Sequence, residues 1–159
     1  MPITTSSKSR LLIVDDEPGN IRIMSNILAE DYVLSAATNA KQALDLAESQ
    51  SPDLILLDMV MPDMDGLAVC EALKASEDTR DIPIIFVTSM NDPENEERGL
   101  LAGAVDYISK PVSPPIVKAR VKIHLQNFLT VRFLESLLSS QTTSLEEAKK
   151  QAKSLLVFV

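Results

Sequence analysis

Three short runs in this chain are apolar at every position: Leu11-Leu12-Ile13-Val14, Leu54-Ile55-Leu56-Leu57 and Ile84-Ile85-Phe86-Val87. They are too short for helices, and none alternates polar with apolar residues as a strand with one wet face would. Such runs suit strands of a sheet covered on both sides. With their flanking residues they define expected strands at 10–14, 53–57 and 83–89, and two weaker runs add 32–37 and 105–109. Amphipathic segments separate them. Residues 18–31 set Ile21, Met24, Ile27 and Leu28 on one face, with Pro18 in the first turn. Residues 40–50 gather Ala40, Ala43, Leu44 and Ala47 behind Asn39, a good N-cap. Helices are also expected over 66–76, with Asp65 as its cap, over 92–104, whose acidic first turn suits the helix dipole, and from Pro114 almost to the end. Strands alternating with helices through short links give the α/β class, a doubly wound five-stranded parallel sheet.

In such sheets ligands bind beyond the carboxyl ends of the strands. Asp15, Asp16 and Glu17 follow the first strand, Asp58 ends the third, Thr88 and Ser89 end the fourth, and Lys110-Pro111 follow the fifth. Singly, each has a plain reading. Asp15 and Asp16 suit a loop or helix cap, Asp58 a strand-end cap, Thr88 a β-branched strand residue, and Lys110 a solvated surface lysine. Together they put several carboxylates, a hydroxyl and an ammonium at one sheet edge. Clustered carboxylates repel, and burial disfavours their charge. The remedies are a raised pKa or a bound divalent cation, and an all-oxygen donor set points to Mg²⁺ or Mn²⁺.

The stretches "LLIVDDEP", "DLILLDMVMPDMDG", "PIIFVTS" and "GAVDYISKP" resemble the receiver domain of two-component response regulators, over residues 10 to 127. The resemblance implies the flavodoxin-like strand order 2-1-3-4-5. It implies that Asp58 accepts a phosphoryl group from a histidine kinase or phosphotransfer protein. It also implies that Asp16, Asp58 and the backbone carbonyl of Val60 ligate Mg²⁺, with Asp15 acting through water. Thr88 and Lys110 would contact the phosphoryl group, Lys110-Pro111 would be a cis peptide, and Tyr107 would switch rotamer on activation. The face of the fourth helix, fifth strand and fifth helix would carry the signal. The chain would be a signalling module, not an enzyme beyond its own aspartate chemistry. Val112 stands where many relatives carry Phe. Val60 and Met90 are apolar where side chains shape the access of water to the phosphate.

Residues 1–9 are expected to be loose, and 128–159 to form a helical linker. A heptad fits Val131, Leu134, Leu138, Gln141, Leu145, Ala148, Ala152, Leu155 and Val159, which favours a parallel homodimer through this helix. A helix folded back on its own domain is the alternative. "SSQTTS" at 139–144 is a weak helix former and offers a hinge, with Ser144 capping the segment after it. The apolar end "LLVFV" suggests a linker to an output domain. "SKPVSPPIVKARVKIHLQ" resembles receivers placed before cyclic-di-GMP enzymes. His124 reads as a structural helix residue before a phosphotransfer histidine, and Cys70 as a small buried hydrophobe.

Composition narrows the field. A net charge of -8 and the absence of Trp argue against direct nucleic-acid binding and against an anionic membrane surface. "MPITTSSKSR" lacks a signal peptide's apolar core, and no run approaches about 18 apolar residues, so a soluble, cytoplasmic protein is expected. A haloacid-dehalogenase-type phosphatase would need an acid where Val60 stands. A flavodoxin-like FMN binder would need a hydroxyl- and glycine-rich loop where "DDEPGN" stands. A purely structural dimerisation unit is the remaining alternative.

Overall fold

The computed structural model describes residues 7–62, 65–89 and 93–156. The elements are β1 (Arg10–Val14), α1 (Pro18–Leu28), β2 (Val33–Ala37), α2 (Ala40–Gln50), β3 (Leu54–Leu57), α3 (Gly66–Ala75), β4 (Ile84–Thr88), α4 (Pro93–Leu101), β5 (Asp106–Ser109) and α5 (Pro114–Leu156). The strands form one parallel sheet in the order β2-β1-β3-β4-β5.

The unbroken apolar runs are the central strands, and the period of two divides their side chains between two cores. Leu12, Val14, Ile55, Leu57, Ile84 and Phe86 face one core with Ala43 and Ala47 of α2 and Val69, Cys70 and Leu73 of α3. Leu11, Ile13, Leu54, Leu56, Ile85 and Val87 face the other with Met24 and Leu28 of α1 and Val117, Val121 and Leu125 of α5. Both faces are thus dry, which is why no polar residue interrupts those runs.

Asn39 and Asp65 cap as their positions imply: Asn39 Oδ1 accepts from the N–H of Gln42 at 2.8 Å and Asp65 Oδ1 from that of Leu67 at 3.0 Å. Two helices end earlier than periodicity suggests. α1 stops at Leu28, where the backbone N–H groups of Asp31 and Tyr32 turn back to its carbonyl. α4 stops at Leu101, because Gly103 takes a φ of 109°, a conformation that breaks the helix and that glycine adopts freely.

Two compact units divide the chain, residues 1–125 and 126–159. The second unit is the distal part of α5. Residues 139–144 are helical throughout, so the hinge and the Ser144 cap are absent; Ser144 is an interior helix residue. Intrahelical hydrogen bonding outweighs the few tenths of a kcal/mol per residue that Ser and Thr cost relative to better helix formers. Val131, Leu134, Leu138 and Leu145 are all exposed. Leu155 lies in α5, but its side chain falls outside the described ones. Among the described residues, no helix is long and apolar enough to cross a membrane.

Candidate functional site

Register brings the acids together. Val14 of β1 pairs with Leu57 of β3, so the residues that follow, Asp15 and Asp58, leave the sheet side by side. The N–H of Asp58 extends the ladder to the carbonyl of Val14 at 2.9 Å, and that of Asp15 reaches Ala37 on the other side at 3.1 Å. Thr88 of β4 pairs with Ser109 of β5, and its carbonyl accepts from the N–H of Lys110 at 2.9 Å, which fixes the start of the β5–α5 loop. The Lys110–Pro111 peptide is cis.

Asp15, Asp16 and Asp58 each offer a carboxylate oxygen, and the three lie within 4.8 Å of one another. Asp15 and Asp58 are buried and Asp16 half-buried. The Lys110 Nζ donates to Asp15 Oδ2 at 2.8 Å and lies 3.5 Å from Asp58 Oδ2. Asp58 Oδ1 accepts from the N–H of Val60 at 3.2 Å, while Asp15 Oδ1 accepts from that of Glu17 at 2.9 Å. Burial holds the Asp58 carboxyl above the usual aspartate range, and the nearby Asp15 and Asp16 charges add to the rise. The Val60 N–H and the Lys110 ammonium oppose it without cancelling it. For Lys110 burial pulls the pKa down, but the Asp15 hydrogen bond and the charges of Asp58 and Asp15 outweigh it and hold it above the usual lysine range.

One ammonium against three carboxylates leaves the cluster about two charges short of neutral. Hard, close-set oxygen donors with that deficit fit a divalent cation that prefers oxygen, such as Mg²⁺. A cleft of about 530 Å³ opens onto the cluster, walled by Asp16, Asp58, Val60, Pro62, Ser89 and Lys110, and offers room for a tetrahedral anion. Val60 turns its side chain to solvent. Gly66 closes the wall behind Asp58. A Cβ there would stand 2.2 Å from the Asp58 carbonyl oxygen, so only glycine allows α3 to begin so close to the acidic strand end.

Thr88 is buried at the end of β4 and Tyr107 is buried within β5. Met90 and Asp63 lie outside the described residues. Asn20 escaped the sequence reading: its Nδ2 reaches Asp15 Oδ1 at 3.4 Å and Glu17 Oε2 at 3.1 Å from the first turn of α1. Its place five residues after Asp15, two past Pro18 in the first helical turn, was the available signal. Also missed was Asp106, which contacts Arg120 and His124 of α5.

The model of the response regulator receiver domain matches residues 11–122. A probable cyclic di-GMP phosphodiesterase from Vibrio cholerae is 46% identical over 127 residues, 80% of this chain and 29% of the relative. The response regulator PleD of Caulobacter vibrioides is 39% identical over 115 residues, 72% of this chain and 25% of that protein. The chain therefore spans less than a third of the length of these relatives. Among solved structures, a CheY-like response regulator receiver domain protein from Methanospirillum hungatei superposes with a TM-score of 0.73 at 32% identity, covering 78% of this chain and 98% of the other.

Proposed function

The chain belongs to the response regulator receiver domain family, and on that premise we propose that Asp58 accepts a phosphoryl group from a phosphohistidine and that this switches an output elsewhere in the protein. The observation that carries the reading is the position of Asp58. It is a buried carboxylate with a raised pKa, at a strand end, within reach of two further acids and of Lys110.

In the transfer an Asp58 oxygen forms the new P–O bond as the P–N bond to the donor imidazole breaks, and the electron pair leaves with the imidazole. The chain supplies position and charge. β3 holds the nucleophile rigidly, and the Val60 N–H fixes its carboxylate plane. Lys110 swings its ammonium from Asp15 toward the incoming phosphoryl oxygens, where positive charge is needed most. The Thr88 hydroxyl donates to one of those oxygens. Asp16, Asp58 and the Val60 carbonyl would hold Mg²⁺ directly and Asp15 through water; Mn²⁺ suits the same donors. When bound, that ion would supply positive charge to offset the repulsion between the acceptor carboxylate and the phosphoryl group.

Movement of Thr88 frees space that Tyr107 takes up, so α4, β5 and α5 form the readout face. The distal part of α5 joins two copies through Val131, Leu134, Leu138, Leu145 and Leu155 and passes the change to an output domain; the relative at 46% identity, a probable cyclic di-GMP phosphodiesterase, supports an enzyme of cyclic di-GMP metabolism there. Residues 10–127 act as the receiver and 128–159 as the linker of a cytoplasmic protein. No substrate besides its own aspartyl group is turned over by the receiver itself.

Incubation with Mg²⁺ and acetyl phosphate tests the reading. A mass gain of one phosphoryl group is expected in the wild type and not in Asp58→Ala. Absence of the gain in both proteins overturns it.

A further inference from the structure

A group of charged residues beside Tyr107 is left unused by the phosphoryl chemistry. The Asp106 carboxylate is half-buried. Its Oδ1 accepts from the backbone N–H of Tyr107 at 2.7 Å and from Arg120 Nη1 at 3.0 Å, and its Oδ2 lies 2.8 Å from Nε2 of His124. Arg120 Nη1 also donates to the backbone carbonyl of Tyr107. One carboxylate and one guanidinium therefore hold the Tyr107 residue by its N–H and by its C=O. Arg120 and His124, four residues apart, project from the same side of α5.

Two features argue that this set does more than add stability. A partly exposed ion pair contributes little by itself, and the Arg120 side chain is 41% exposed. The same Arg120 also lines a cleft of about 370 Å³ together with Tyr107, with Pro93 and Glu96 of α4, and with Ile116 of α5. Tyr107 thus borders this cleft while its side chain packs in the core. A rearrangement at Tyr107 therefore meets the guanidinium that also ties its backbone to α5.

We propose that Asp106, Arg120 and His124 form a latch by which a rearrangement at Tyr107 is passed to α5. Arg120 is a positioning residue: it touches neither Asp58 nor the acidic cluster, and acts through Tyr107. The rest of the latch gives the carboxylate its direction. Asp106 is gripped by His124 from one turn further along the helix, so β5 and α5 move together while the contacts hold and part when they are removed. Coupling of this kind is reciprocal, so a constraint on α5 also biases Tyr107.

The inference rests on the proposed phosphoryl switch, and hydrogen exchange with and without beryllofluoride and Mg²⁺ separates the two. Fluorine NMR of the same samples reports whether Asp58 has taken up the analogue. In the wild type, uptake is expected to change the exchange of amides 114–125. In Arg120→Ala, uptake is expected to persist while that change falls at least threefold. His124→Gln keeps a donor for Asp106 and should retain most of the change. Asp106→Asn tests the same link from the strand side if Arg120→Ala proves too unstable to measure. A wild-type-sized change in α5 of Arg120→Ala, or of Asp106→Asn in its place, overturns the latch, and so does uptake by the wild type with no change in α5. Absence of uptake by the wild type overturns the switch on which the latch depends.

Discussion

Helices α3 and α4 follow neighbouring strands, yet they are attached very differently. α3 buries Gly66, Leu67, Val69, Cys70 and Leu73. Its start is capped by Asp65, and its end is tied by the Thr79 hydroxyl to the Leu73 carbonyl at 2.6 Å and by Lys74 Nζ to the carbonyls of Arg80 and Ile82. In α4 the buried residue is Gly99, set against the Phe86 ring and the Met59 methyl, while Leu100 and Leu101 face outward. Each buried large apolar side chain contributes about 1.5–3 kcal/mol, so α3 is fastened by several such contributions and α4 by none. Cooperative units differ in stability in this way, and elements that move are drawn from the weak end. The strand that ends on Asp58, the proposed acceptor, is thus followed by a fixed helix, and the proposed readout face contains a loosely held one.

The strongest test of that contrast deletes one leucine from each helix. Leu73→Ala should cost about 2–5 kcal/mol in urea denaturation, and Leu101→Ala, which is 79% exposed, less than about 0.5 kcal/mol. Similar losses in both would erase the distinction. A smaller effect is expected from glycines. At Gly99 a Cβ would stand 3.0 Å from Phe86 Cδ2 and 3.2 Å from Met59 Cε. Gly99→Ala should therefore forfeit the roughly 1 kcal/mol that alanine usually brings to a helix and cost about 1 kcal/mol more by overpacking, with faster amide exchange confined to α4. Gly19 of α1 has open space around it, so Gly19→Ala should stabilise by about 0.4–1 kcal/mol. A stabilised Gly99→Ala would mean that α4 can lift from the sheet at no cost.

The smallest effect concerns the strand end between the two helices. Burial raises the Asp58 pKa in the folded chain. Between its unfolded and folded values the native state holds the extra proton, so stability falls as pH rises through that window. At neutral pH and with metal chelated, Asp58→Asn should therefore raise the urea midpoint. The gain should shrink as pH is lowered through the Asp58 titration, and the exchange difference between α3 and α4 should stay unchanged. A lowered midpoint at pH 7 would show that Lys110 and the Val60 N–H outweigh burial.

The legible part of this molecule was the part governed by local rules. Unbroken apolar runs reported strands with two dry faces, and strand-end residues identified which side chains share the carboxyl edge. Asn39 and Asp65 announced helix starts, because a cap acts within three residues. The ends of α1 and α4 were less legible, since apolar spacing continues past the point where Gly103 turns the chain. The long helix from Pro114 was legible in its pattern, and the alternative of a hinge at "SSQTTS" failed because propensity per residue is small beside the hydrogen-bond ladder. Asp106 with Arg120 and His124 left no trace at all: the partners are 14 and 18 residues apart, and only the packing of α5 on β5 makes them neighbours.

The β3–α3 loop closes on itself. The N–H of Gly66 returns to the carbonyl of Met59 at 2.9 Å, so the two ends of the loop are joined beneath Asp58. Lengthening a loop whose ends are already pinned costs little, since closure entropy grows only with the logarithm of length. Insertions beyond Val60 would enlarge the rim of the cleft while Asp58, the proposed nucleophile, stayed where it is. On the proposed function, the fold thereby separates two demands that usually compete: a reactive atom that must not shift, and a surrounding surface free to diversify for different phosphoryl donors.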